Sequence, residues 1–243
     1  MEAKTREKER WEIEELVFDR ISLLSLGRMI KKGFFEKIDY VVSTGKEANV
    51  YRAKASRGHV AVKIYKVETS NFMKRKDYIF SDPRFRFRKI DERKLVYAFA
   101  SKEFKNLRIA KKIGIKCPSP MFHENNIVIM SFLGKQGLPF PKLIDSYKFI
   151  ENVEELMHDI IKDIKKMNKN GFVHGDLSEY NILFDPTRQI YYFIDFGQGT
   201  VRGNPNYENF LKRDIKNILS FFRKKLNLKL NENEILKEVV EED

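Results

Sequence analysis

The chain has 243 residues, 42% of them hydrophobic and 34% charged, enough to bury a substantial core in one compact, two-lobed soluble domain. No apolar run approaches the length of a membrane-spanning helix and Met1 to Arg10 is too charged for a signal peptide, so a cytoplasmic protein with no membrane partner is expected. A lone Cys117 excludes an internal disulfide and the four histidines lack metal-ligand spacing, while the net charge of +12 suits either polyanionic partners or a solvated Lys-rich surface.

Residues 1–37 read as a helical extension. Trp11, Ile13, Leu16, Val17 and Ile21 approximate one face, followed by Leu23, Leu24, Leu26, Met29 and Ile30 before Gly33, a pattern expected to pack on the lobe that follows. Residues 38–132 read as a small, strand-rich lobe. Its first element, Tyr40 to Tyr51, has two strand-like ends around a polar turn. Laid on the kinase phosphate loop GxGxxGxV, it keeps only the middle glycine, as Ser43, Gly45, Ala48 and Val50. Small residues at the other positions still let a backbone approach phosphates. The candidate loop therefore comprises Ser43, Thr44, Gly45, Lys46, Glu47, Ala48, Asn49 and Val50.

In Val60 to Tyr65, strand alternation puts Val60, Val62 and Ile64 on one face and Ala61, Lys63 and Tyr65 on the other, so that Ala61 can lie against adenine while Lys63 reaches phosphates. From about 67 to 94 the periodicity fades into a basic insertion interleaved with Phe72, Tyr78, Phe80, Phe85 and Phe87, as suits either RNA contact or a solvated loop. Leu95 to Ile113 reads as a helix closed by Gly114, with Glu103 among the inward-facing Phe99, Leu107 and Ala110. A carboxylate there needs a partner, and Lys63 is the natural one. Asn126 to Leu133 reads as a buried strand, with Met130 flanking adenine and the backbone of Ser131, Phe132 and Leu133 meeting its edge.

Residues 133–243 read as a helical lobe entered through a hinge at Gly134 to Pro141. Val153 to Met167 forms a helical stripe that ends at Asn170-Gly171 and feeds the run Phe172 to Phe184, answered by Tyr191 to Gln198. There Asp176 and Asn181 bracket a short loop and Asp195 ends a strand. Such a set orients or deprotonates a hydroxyl with one Asp, holds a hard divalent cation with the Asn, and binds the cation bridging ATP phosphates with the second Asp. Asp214, on a later amphipathic helix from Tyr207 to Phe222, is a candidate brace for the loop. A last short helix runs through Ile235 to Val240.

His174-Gly-Asp-Leu-Ser-Glu-Tyr-Asn181, with Ser43-Thr-Gly-Lys-Glu-Ala-Asn-Val-Tyr51, resembles the first subfamily of the RIO atypical kinases, and the likeness extends from about residue 20 to 225. Asp195-Phe-Gly departs from the variants expected in that subfamily. The resemblance implies an α+β, protein-kinase-like two-lobed fold with a small, mostly antiparallel β lobe and a trimmed helical lobe. It implies Asp176 as catalytic base, Asn181 and Asp195 as Mg2+ ligands with Mn2+ as a substitute metal, and Lys63 with Glu103 as the ATP-positioning pair. It also implies ATPase and serine/threonine kinase activity with self-phosphorylation, for which Ser70 and Ser81 are the accessible candidates in the basic insertion, Asp195 as a transient phosphoryl acceptor, and a pre-small-ribosomal-subunit particle with its rRNA, not DNA, as partner. Gly175 replaces the Arg that senses a phosphorylated activation loop, and the stretch after Gly199 is short for a peptide-binding platform. Other readings are the small kinase-like ATPase of the tRNA threonylcarbamoylation assembly, a small-molecule phosphotransferase, and a non-catalytic, ATP-gated RNA-binding assembly factor.

Overall fold

The computed structural model describes residues 19–67, 76–86, 90–228 and 231–240. Trp11, Ile13, Leu16, Val17, Ser70, Phe72 and Phe87 lie outside them. Helix α1 (Arg20–Lys31) starts where the Asp19 carboxylate accepts the Ile21 N–H at 3.1 Å. Strands β1 (Lys37–Thr44), β2 (Ala48–Ala55) and β3 (Gly58–Tyr65) follow as an antiparallel meander.

The alternation along β3 gives the small lobe its two faces. Val60, Val62 and Ile64 pack with Leu26, Met29 and Phe35 from the α1 side, whereas Ala61 and Tyr65 belong to the main core on the opposite side. Leu24 and Ile30 are exposed, so the apolar stripe of α1 is narrower than its composition suggests. The buried Asn126 ties helix to sheet, donating to Ser22 Oγ at 2.8 Å and to the Tyr65 carbonyl at 2.7 Å.

The described residues of the insertion lie on the protein's own surface. They include α2 (Asp77–Phe80), and Tyr78 stacks on Phe210 at 5.5 Å. Ser81 is not the accessible hydroxyl expected from sequence: half-buried, it donates to the Asp77 carbonyl at 2.5 Å and accepts from Asn204 Nδ2 at 3.1 Å. The fully buried Asp82 accepts from Arg84 at 2.8 and 2.6 Å and lies 3.3 Å from the equally buried Lys102. Helix α3 (Glu92–Lys112) begins ahead of Leu95 because Asp91 caps the Lys94 N–H at 2.8 Å. It ends at Gly114, whose φ of 75° is the left-handed conformation that closes helices.

Strands β4 (Pro120–Glu124) and β5 (Ile127–Ser131) complete a sheet of order β1-β2-β3-β5-β4. The chain then passes through the hairpin β6 (Gly134–Lys135) and β7 (Leu138–Pro139) and the short helix α4 (Leu143–Ser146) into the helical lobe. Helix α5 (Val153–Lys169) buries Leu156, Met157, Ile160, Ile161, Ile164 and Met167 in the same core as Leu211, Ile215, Ile218, Leu219 and Phe222 of a later helix. Between them lie β8 (Phe172–Val173), β9 (Ile182–Asp185), β10 (Ile190–Phe193) and β11 (Thr200–Val201). The later helix is α6 (Tyr207–Leu226), and α7 (Glu232–Val240) follows it. Among the described residues no helix is long and apolar enough to cross a membrane.

Met29 is fully buried between α1 and the sheet face opposite Lys63. Met29→Ala is expected to cost about 2–5 kcal/mol in a denaturant melt while leaving nucleotide affinity unchanged in titration calorimetry.

Candidate active site

Both lobes line one cleft of about 580 Å3, within the size range of small-ligand sites. Its roof takes Ser43, Gly45, Lys46, Glu47, Ala48 and Val50 from the β1–β2 turn, with Ala61 and Lys63 from β3. Met130, Ser131, Phe132 and Leu133 line the edge near the hinge, and Asp176, Asn181, Leu183 and Asp195 line the floor. Thr44 and Asn49 are not among the lining residues. They pair across the β1–β2 ladder, and Asn49 Nδ2 donates to Tyr51 Oη at 3.2 Å. Gly45 packs tightly: its N–H bonds the Ala48 carbonyl at 2.9 Å, and a Cβ there would lie 3.0 Å from that same oxygen.

Lys63 joins the two sides of the cleft. Its Nζ lies 2.8 Å from Glu103 Oε1 on α3 and 2.8 Å from Asp195 Oδ1. Tyr65, on the same face of β3, donates its hydroxyl to Glu103 Oε2 at 2.5 Å. Burial opposes the charge on Lys63, but Asp195 and Glu103 more than offset it and hold the ammonium protonated. One cation thus serves two carboxylates. The more deeply buried of them, Glu103, is raised by burial and by Asp195, against the pull of Lys63. Asp195 does not end a strand as expected: β10 stops at Phe193, and Asp195 adopts a left-handed φ of 63° before the 3-10 turn Phe196–Gln198. Tyr65 Oη would lie 3.1 Å from a Cβ at Gly197, so the following turn passes close over the Tyr65–Glu103 pair.

The loop carrying Asp176 is braced from below by α6. Asp214 accepts the Gly175 N–H at 2.7 Å and the Leu177 N–H at 2.9 Å, and Arg213 donates to the Gly175 carbonyl. Burial pushes the Asp214 carboxyl up to about 7, against those two N–H bonds and Arg213. Asn181 Nδ2 donates to the Asp176 carbonyl at 2.7 Å, which orients the Asn181 side chain so that its oxygen remains to act as an acceptor. Gln198 Nε2 donates to Asp176 Oδ2 at 2.8 Å. Asn106, three positions beyond Glu103 on α3, donates to the carbonyls of Phe196 and Gly199 at 2.7 Å each.

Gln198, Asn106, Arg213 and the role of Tyr65 were not singled out from sequence. Tyr65 could have been found from its alternation with Lys63, and Asn106 from its helical spacing to Glu103. Among the described residues no group of three or more His, Cys, Asp or Glu side chains could hold a metal on its own. One carboxylate and one amide oxygen suit instead a hard cation completed by phosphates and water.

A β-sheet lobe over a helical lobe, with a buried Lys–Glu pair and an Asp-Asn-Asp set in the cleft between them, defines a kinase-like phosphotransferase. Comparison with known proteins narrows the class. Residues 49–235 match the RIO domain. The RIO-type serine/threonine-protein kinase Rio1 of Methanocaldococcus jannaschii is 38% identical over 225 residues, covering 90% of this chain and 76% of that protein. The serine/threonine-protein kinase rio1 of Dictyostelium discoideum is 40% identical over 215 residues, covering 87% of this chain but 37% of that protein. This chain therefore spans about three quarters of the archaeal relative and little more than a third of the amoebal one.

Among solved structures, the Rio2 kinase–ADP/Mg2+–phosphoaspartate complex from Chaetomium thermophilum superposes with a TM-score of 0.69 at 21% identity, covering 90% of this chain and 66% of that one, and shares the fold. The chain belongs to the RIO family, among its Rio1-type serine/threonine-protein kinases.

His174 gives a pH readout of this site. The ring is fully buried and its Nε2–H donates to the Ile194 carbonyl at 2.9 Å, while Nδ1 has no partner among the described residues. Burial lowers its pKa to about 4. An unfolded chain takes up this proton near pH 6.5, so His174 alone makes the fold less stable as pH falls from there toward 4. Asp214, raised, acts with the opposite sign over much of that range, so a residue-specific titration reads His174 better than a melting curve. NMR of the imidazole should show a neutral ring down to pH 5; a midpoint above 6 would contradict this environment.

Proposed function

We propose that this chain is an ATP-dependent atypical serine/threonine kinase and ATPase that acts in the cytoplasm in maturation of the small ribosomal subunit and phosphorylates itself. The observation that carries the catalytic part is the Lys63 ammonium held at 2.8 Å by both Glu103 and Asp195 inside a cleft that also contains Asp176 and Asn181. Ala61, Met130 and Leu183 would sandwich the adenine, with the backbone of Ser131 to Leu133 along its edge and the Ser43 to Val50 turn over the phosphates. Lys63 would contact the phosphates as its bond to Asp195 is relaxed. Asn181 and Asp195 would hold Mg2+, or Mn2+ in its place, which would supply positive charge against that developing on the phosphates. Asp176 would accept the proton of the attacking hydroxyl.

Asp195 is also a candidate transient phosphoryl acceptor, since its side chain is half exposed to the cleft. The Rio2 relative was solved with a phosphoaspartate, which supports the same chemistry here. The chain runs from Gly199 through β11 directly to α6, with no element for a peptide platform between them, which favours self-phosphorylation and ATP turnover on a bound particle. The net charge of +12 supports rRNA contact on a pre-small-subunit particle. Family membership favours this reading over the tRNA threonylcarbamoylation ATPase.

ATP turnover by the wild type and by Asp176→Ala, with and without purified small-subunit precursors, tests the proposal. Precursors should stimulate the wild type, and the variant should lose on the order of a hundredfold or more; an acid-labile phosphoenzyme should accumulate during turnover. Tight ATP binding with negligible turnover in every sample would instead favour a nucleotide-gated RNA-binding assembly factor.

A further inference from the structure

The side chain lying on the proposed base is Gln198. It lines the cleft together with Lys63, Asn181 and Asp195, and its Nε2 donates to Asp176 Oδ2 at 2.8 Å. Gln198 closes the 3-10 turn Phe196–Gln198, so a single turn fixes its position relative to Asp195. That turn is held rigidly. Asn106 is fully buried and binds the carbonyls on both sides of Gln198, those of Phe196 and Gly199. A Cβ at Gly199 would lie 3.0 Å from Asn106 Nδ2 and 3.1 Å from the Phe172 ring. The Asp176 loop interlocks with the turn through Gly175, which has a φ of 78° and where a Cβ would come within 3.0 Å of the Gln198 carbonyl oxygen. The amide is thus delivered to Asp176 by a packed framework, the condition under which a polar group is preorganised for catalysis.

A primary amide that donates through Nε2 to one side presents its Oε1 acceptor on the other. Beside the Asp176 carboxylate, it makes a pair of acceptors from two different side chains. Water can satisfy both, because it has two O–H donors, and once both are engaged its lone pair is left to attack a phosphorus bound in the cleft that Lys63 also lines. A serine or threonine hydroxyl has one donor and needs Asp176 alone. A glutamine amide orients the attacking water in some nucleotide hydrolases of other architecture.

We propose that Gln198 is a catalytic residue that holds the attacking water together with Asp176 and biases this site toward hydrolysis over transfer to a protein hydroxyl. The proposal rests on the ATP-dependent reading above and deepens it. In the step, the water oxygen forms a bond to phosphorus as the bond from phosphorus to its leaving oxygen, on ADP or on the Asp195 carboxylate, breaks. One water proton passes to the Asp176 carboxylate, the other stays on the product phosphate and is bonded to Gln198 Oε1, and Asp176 later returns its proton to solvent.

The test measures phosphate release and radiolabel incorporated into protein hydroxyls in the same reaction with labelled ATP and Mg2+, for wild type, Gln198→Ala and Gln198→Asn. The ratio of hydrolysis to transfer should fall about tenfold or more in Gln198→Ala and to an intermediate value in Gln198→Asn, which keeps an amide at shorter reach. An unchanged ratio in both variants, with the two activities falling in parallel, would mean that Gln198 merely holds Asp176 and would overturn the proposal. Should Gln198→Ala fail to bind ATP, the ratio in Gln198→Asn decides alone. A wild type without hydrolysis refutes the parent reading and this one with it, whereas normal wild-type hydrolysis with an unaltered ratio refutes only this one.

Discussion

One buried ammonium organises this molecule. Lys63 comes from the central strand of the small lobe, Glu103 from the long helix beside it, and Asp195 from the turn after the last long hairpin of the helical lobe. Three elements distant in sequence are brought together on one nitrogen. Removing one partner of a buried ion pair typically costs about 3–5 kcal/mol, because the remaining charge is left without compensation in a low-dielectric surrounding. The pairing is therefore as much a statement about how the lobes meet as about catalysis. A single cation shared by two carboxylates also leaves the cleft short of positive charge, and that deficit suits a site completed by a divalent cation and an incoming phosphate chain.

Around this triad the fold supplies braces that make contact through backbone groups. Asp214 and Arg213 grip the amide and carbonyl of Gly175, and Asn106 grips the carbonyls flanking Gln198. Helix α3 carries the second of these braces and one carboxylate of the triad. Glu103 and Asn106 face the cleft and its turn, while Lys102 on the same helix lies against Asp82 and donates to the Tyr78 carbonyl at 2.5 Å, anchoring the segment around α2. Burial pushes Lys102 down to about 8, against the pull of Asp82. Asp82 is also 3.4 Å from the Thr200 hydroxyl, just beyond the turn that carries Asp195 and Gln198. The insertion and the nucleotide cleft thus share one helix and one post-turn strand.

Strand alternation and helical spacing made the framework readable. The alternation in β3 identified which face Lys63 shares with Ala61, and the stripe through Phe99, Glu103 and Leu107 identified a carboxylate that needed a buried partner. Both depend on short-range periodicity that tertiary contacts reinforced. The misses have the opposite character. Gln198 and Arg213 act through contacts across the fold, and no local pattern marks a glutamine as the residue that will reach an aspartate in another loop. Leu24 and Ile30 read as core because an apolar run in a helix does not by itself reveal how wide a stripe its partner sheet can cover. Ser81 read as accessible because the insertion lacks periodicity, yet it is half-buried between the Asp77 carbonyl and Asn204. The left-handed Asp195 was not visible either, since an aspartate after an apolar run reads as a strand end until the turn it opens is seen.

The dependence of nucleotide binding on the shared ammonium is the most direct point of attack. A double-mutant cycle on ATP·Mg2+ affinity, with Lys63→Met, Glu103→Gln and the combination, should show that each single substitution weakens binding and that the two together are non-additive by about 1 kcal/mol or more. Strictly additive effects, or a Lys63→Met variant that binds ATP·Mg2+ as the wild type does, would contradict a site built on that pair.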